Sequence, residues 1–115
     1  MVTVIIIDDE IELIHGIADY LKLFNIDVVG TGHNGLEAVC LYEKHRPDYV
    51  LIDLNMPKYD GNYGISKIKE INKDTKIIIM TGFVDKIKNE KLASELIVLE
   101  KPFRLSELKK IIEGP

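Results

Sequence analysis

At 115 residues the chain has room for one domain with a genuine core and too little for two. Hydrophobic residues make up 46% and charged residues 30%, the balance of a soluble globular domain rather than a disordered or membrane-spanning one. A formal net charge of -4 gives no electrostatic reason to bind nucleic acid or an anionic membrane, so direct contact with either is not expected. Cys40 is the single cysteine, which rules out an intrachain disulfide and fits a reducing compartment. The apolar run at the N-terminus meets Asp8-Asp9-Glu10 too soon for a signal peptide, and no stretch is long enough to span a bilayer. A cytoplasmic location is the expectation.

Thr3 to Ile7 is β-branched throughout and predicts a central buried strand. It runs into three acids. Glu10 has an ordinary explanation in the first turn of a helix, where the helix dipole favours negative charge. Asp8 and Asp9 do not, because adjacent like charges ending a buried strand call for a cation, and a hard divalent ion suits them. Ile14, Ile17, Ala18 and Leu21 recur at core-facing spacing, so a first helix follows and stops near Asn25. Asp27 to Val29 predicts a short second strand nearer an edge. Gly30-Thr-Gly-His-Asn-Gly35 then fits the dinucleotide pattern G-x-G-x-x-G, with an acid, Asp53, about 20 residues on. However, the pattern follows the second strand, and the chain is too short for two mononucleotide-binding halves. Asn34 followed by Glu37 has a simpler role, as the N-cap pair of a helix running to His45.

Tyr49 to Ile52 is an unbroken apolar run, the pattern of a parallel strand covered on both faces. Asp53 stands at its carboxyl end, with Met56-Pro57 and Asp60-Gly61 turning the chain. By itself such an acid could simply be leaving the strand for water. Ile65, Ile68 and Ile71 mark a third helix, and Lys76 to Met80 a fourth strand that delivers Thr81-Gly82. A fourth helix, over about Asp85 to Ala93, has little apolar face beyond Ile87 and Leu92. Leu96 to Leu99 predicts a fifth strand, ending at Glu100-Lys101-Pro102-Phe103, and Leu105, Leu108, Ile111 and Ile112 a last helix. His15, His33 and His45 lack metal-ligand spacing and read as surface residues. There is no G-x-S-x-G elbow and no evident Ser-His-Asp arrangement.

Five β-then-α units predict an α/β fold, a parallel sheet with right-handed crossovers and helices on both faces. The carboxyl ends of all strands then face one side, which gathers Asp8, Asp9, Asp53, Thr81 and Lys101 around one crevice. Crowded carboxylates raise one another's pKa values unless a cation neutralises them, and Mg²⁺ would do so. A carboxylate beside Mg²⁺, with a lysine and a threonine facing phosphoryl oxygens, describes an aspartyl-phosphate site.

With Asp8-Asp9, Asp53-Leu-Asn-Met-Pro57, Asp60-Gly61, Thr81-Gly82, Lys101-Pro-Phe103 and Asn34-Gly-Leu-Glu-Ala38 at these spacings, the chain resembles the receiver domain of two-component response regulators along essentially its full length. The resemblance implies a flavodoxin-like (βα)5 fold of strand order 2-1-3-4-5 and a single receiver domain over residues 1–115, with no output domain in this chain. It implies a switch rather than an enzyme, with only self-phosphorylation and self-dephosphorylation activity. Asp53 would accept a phosphoryl group from the phosphohistidine of a sensor histidine kinase or phosphotransfer protein. Asp9 and Asp53 would ligate Mg²⁺ with the backbone carbonyl of Asn55, and Asp8 would act mainly through a bound water. Lys101 would pair with Asp53 and then with a phosphoryl oxygen, and Thr81 would swing its hydroxyl onto the phosphoryl group. The Lys101-Pro102 bond would be cis. The partner would grip the first helix and the loop after the fifth strand, which makes Ile11, Leu13 and Pro102-Phe103 candidate contacts. A downstream effector is implied without being named, and a phosphorylation-dependent dimer is compatible with the family.

Val98 departs from the family pattern, which usually has Tyr or Phe three residues before the lysine. The stretch from Thr81 to Lys101 is also short, so the expected switch shifts or orders the fourth helix instead of flipping an aromatic ring. The alternative is a degenerate receiver serving as a constitutive interaction module, with Val98 its only support. A third reading is a nucleotide-dependent oxidoreductase or a Mg²⁺ phosphatase. The phosphatase wants a second Asp two residues after the nucleophile, where Asn55 stands, and a cap for which this length has no room.

Overall fold

A computed structural model describes residues 1–82 and 96–114. The strands are β1 (Thr3–Ile7), β2 (Asp27–Gly32), β3 (Tyr49–Asp53), β4 (Lys76–Thr81) and β5 (Ile97–Glu100). The helices are α1 (Ile11–Lys22), α2 (Gly35–His45), α3 (Gly61–Ile71) and α4 (Leu105–Glu113). The helix expected over residues 85–93 lies outside the described residues. All strand pairs are parallel, in the order β2-β1-β3-β4-β5. That is the expected flavodoxin-like arrangement. Among the described residues no helix is long and apolar enough to cross a membrane.

Successive residues of a strand point to opposite faces, and here both faces are covered. Val4, Ile6, Leu51, Ile78 and Met80 pack with Ile14, Ile17 and Leu21 of α1 and Leu108 and Ile112 of α4. Ile5, Ile7, Val50, Ile52, Ile77 and Ile79 pack on the other side with Ala38 and Tyr42 of α2 and Ile65 and Ile68 of α3. Full burial of each such side chain is worth roughly 1.5–3 kcal/mol. This two-sided demand is why β1, β3 and β4 read as continuous apolar runs.

β2 is longer than its sequence suggests, running on to Gly32 instead of stopping at Val29. A register shift between Val4 and Ile5 lets pairing continue, so that Ile6 meets Thr31 and Ile7 meets Gly32. The glycines serve packing. A Cβ on Gly30 would stand 2.9 Å from Leu41 Cδ2, and one on Gly32 3.0 Å from Glu37 Cβ, so their absence lets α2 lie close to the strand. The N–H of Gly35 donates to the Tyr59 carbonyl at 2.6 Å, and Asn34 caps α2 by accepting from Glu37 N–H at 2.9 Å. Gly30 and Gly32 thereby serve helix–sheet contact, and Gly35 the close approach of α2 to the start of α3. β5 is displaced by one residue from its expected span because its pairing with β4 runs from Ile78↔Ile97 to Thr81↔Glu100.

Candidate functional site

Strand register brings the chemistry together. Ile7 lies opposite Ile52, so the residues that follow, Asp8 and Asp53, leave neighbouring strands at the same level. Asp53 lies opposite Met80, which places Thr81 at the next strand end, and Thr81 lies opposite Glu100, which places Lys101 beside it. The Lys101 N–H donates to the Thr81 carbonyl at 2.7 Å. The Lys101–Pro102 peptide is cis, as expected.

Asp8 and Thr81 are fully buried and Asp53 is 4% exposed, whereas Asp9 faces solvent. Carboxylate oxygens of Asp8, Asp9 and Asp53 all lie within 4.8 Å of one another. One Asp8 oxygen accepts from the Glu10 N–H at 2.9 Å and the other from Lys101 Nζ at 2.9 Å. Asp53 accepts from the Asn55 N–H at 3.3 Å, and Lys101 Nζ stands 3.7 Å from its other oxygen. The Lys101–Asp53 pair implied by the resemblance is therefore present, but the lysine's shorter contact is to Asp8.

Burial pushes the Asp53 carboxyl up to about 6, and the Asp8 charge adds to the rise. Lys101 and the Asn55 N–H pull it back, and Asp9 raises it a little further. Burial acts to lower the Lys101 pKa, but the hydrogen bond to Asp8 and the charges of Asp53, Asp8 and Glu10 outweigh it, and the ammonium is held above its usual value. One ammonium thus faces three carboxylates, Asp8, Glu10 and Asp53, two of them buried, while Asp9 adds a further acid to the cluster. The donor set is all oxygen and short of positive charge, which fits a hard ion such as Mg²⁺ and not a soft one.

The sequence model of the response regulator receiver domain matches residues 4–113. The chain belongs to the response regulator receiver family. The transcriptional regulatory protein PdtaR of Mycobacterium tuberculosis is 34% identical over 112 residues, a match covering 96% of this chain and 54% of PdtaR. The chain thus spans about half the length of that relative. Sporulation initiation phosphotransferase F of Bacillus subtilis is 32% identical over 115 residues, covering 96% of this chain and 90% of its own. Among solved structures, the response regulator TrrA of Thermotoga maritima, in complex with Mg²⁺ and BeF, is similar with a TM-score of 0.86 at 25% identity, covering 98% of this receiver and 97% of TrrA.

Two features of this receiver escaped the sequence. Glu10 is the N-cap residue of α1 but makes no capping hydrogen bond; its carboxylate reaches Lys101 Nζ at 3.4 Å instead. The only signal for it was a third acid in a row. Gly61 is the other: a Cβ there would collide with the Asp53 carbonyl and sit 2.7 Å from Leu54 Cα, so the turn presses directly against the end of β3. Val98 is half-buried on the α2–α3 side of the sheet, packed against that core. Of the candidate partner contacts, Leu13, Pro102 and Phe103 line a groove of ≈ 550 Å³ beside Lys101, while Ile11 is exposed and does not line it.

Proposed function

We propose that this receiver accepts a phosphoryl group on Asp53 from the phosphohistidine of a sensor histidine kinase or phosphotransfer protein, in a Mg²⁺-dependent reaction, and that the modification switches partner binding. The observation that carries this reading is the cluster of Asp8, Asp9 and Asp53 at the strand ends, with Lys101 paired to Asp8 and Asp53. With a pKa of about 6, Asp53 is mostly ionised at neutral pH and able to act as nucleophile. Its oxygen forms a P–O bond as the P–N bond to the imidazole breaks, and the electron pair of that bond returns to the ring. Lys101 moves onto a phosphoryl oxygen, where its charge offsets the charge that develops in transfer. The Thr81 hydroxyl turns toward a second phosphoryl oxygen. Asp9 and Asp53, with the backbone carbonyl of Asn55, would hold Mg²⁺, and Asp8 would act on it through a bound water; the ion would supply positive charge to the phosphoryl oxygens and to the crowded carboxylates.

The groove between α1 and the loop after β5 supports the partner reading. Leu13, Ile17, Phe103 and Leu105 form an apolar wall that opens beside Lys101, so a helix seated there would bring its phosphohistidine to Asp53. The chain acts as a switch whose only catalysis is on itself. The test is intact mass after incubation with Mg²⁺ and acetyl phosphate, beside an Asp53→Ala control. The expected result is a phosphoryl adduct that requires both the ion and Asp53. No adduct, or one that survives the substitution, would favour a constitutive interaction module.

A further inference from the structure

We propose that Glu10 is a positioning residue that restrains Lys101, holding its ammonium away from Asp53 until a phosphoryl group competes for it. This deepens the aspartyl-phosphate reading and rests on it. An ammonium has three N–H donors. Asp8, fully buried, accepts one at 2.9 Å, and Glu10 draws the ammonium at 3.4 Å, closer than Asp53 at 3.7 Å. The two tethers differ in kind. Asp8 is locked in place by the Glu10 backbone N–H and has nowhere else to put its charge. The Glu10 side chain is 64% exposed and can exchange its lysine for water at little cost. Of the two, only the Glu10 contact is cheap enough to break during phosphoryl transfer.

As Lys101 Nζ turns onto a phosphoryl oxygen built out from Asp53, the longer, exposed Glu10 contact at 3.4 Å is the one that yields. Glu10 is therefore paired with Lys101 in the starting state and loses that pairing in the transition state. Such an interaction slows the step it precedes, because it stabilises the ground state alone. Removing it raises the rate while leaving the buried Asp8–Lys101 pair intact.

The experiment compares wild type, Glu10→Gln and Glu10→Asp by the rate of adduct formation with acetyl phosphate at fixed Mg²⁺ and ionic strength. Glu10→Gln removes the charge; Glu10→Asp keeps it but is one methylene too short to reach Lys101. Both are expected to gain about two- to fivefold, the rate equivalent of one partly exposed ion pair. In Mg²⁺-free protein the Lys101 Cε–Hε NMR resonances are expected to shift in both variants, reporting the ammonium's displacement. Equal or slower rates in Glu10→Gln overturn the proposal. So does a Glu10→Asp protein that matches wild type while Glu10→Gln accelerates, since bulk charge repulsion of the donor would then be the cause. An Asp53-dependent adduct with unchanged Glu10 kinetics sinks this inference alone. Absence of any adduct in all three proteins sinks the aspartyl-phosphate reading with it.

Discussion

Lys101 Nζ lies 2.9 Å from the Asp8 carboxylate and 3.7 Å from that of Asp53, so the lysine is committed to a residue one strand away from the proposed phosphoacceptor. Asp8 has no exposure to water, and its two oxygens accept from that ammonium and from the Glu10 N–H.

Lys101→Met is accordingly expected to destabilise the Mg²⁺-free protein by on the order of 2–3 kcal/mol, measured by urea unfolding. That is below the range for a fully buried pair because the lysine side chain keeps 19% of its surface in water. Adding Asp8→Asn to the same protein should recover part of the loss, since Asp53 is then the one buried carboxylate of the site left without the lysine. An additive or larger loss in the double variant would show that Asp8 is compensated elsewhere.

Asp53 carries the opposite sign. Its carboxyl rises from an ordinary 3.8 to about 6 on folding, so between those values the folded chain holds a proton that the unfolded chain has lost. Stability from this group therefore falls as pH rises through the window, and the ionised carboxylate costs on the order of 3 kcal/mol above it. Asp53→Asn should melt several degrees higher than wild type at pH 8 without Mg²⁺. The difference should vanish as pH falls toward 4. A variant that melts lower at pH 8 would mean that Lys101 outweighs burial.

Asp9 separates metal binding from folding. It is exposed, so Asp9→Ala is expected to change stability by no more than about 0.5 kcal/mol in Mg²⁺-free buffer. The rise in melting temperature on adding Mg²⁺ should shrink markedly in the same protein, because a ligand stabilises by its affinity for the native state. Full retention of the Mg²⁺ effect would remove Asp9 from the ligand set.

Two glycines should respond in opposite directions to alanine. A Cβ at Gly61 would strike the Asp53 carbonyl, so Gly61→Ala is expected to cost roughly 1–3 kcal/mol and to displace the carboxyl end of β3. Gly16 lies within α1 with nothing within 4 Å of its added Cβ, so Gly16→Ala should gain about 0.5–1 kcal/mol of helix propensity. Paired thermal melts decide both.

Strands β1, β3 and β4 were legible from residue type alone, because a strand packed on both faces admits little but apolar side chains. Residues Gly30 to Gly32 were not, since a glycine-rich run looks the same in a loop as in a paired strand. Only the neighbouring β1, and the approach of Leu41 and Glu37 from α2, make them strand.

The gathering of Asp8, Asp9, Asp53, Thr81 and Lys101 followed from the sequence by itself, through the alternation that dictates a parallel sheet with its carboxyl ends on one side. The sequence alone also pointed to the family and to a hard divalent ion. What only the tertiary structure decided was how one ammonium is shared among three carboxylates. Its commitment to Asp8, the partial hold of Glu10 and the raised pKa of Asp53 depend on tenths of an ångström and on burial. Those quantities are set by helices packing around the strand ends, and no spacing along the chain encodes them.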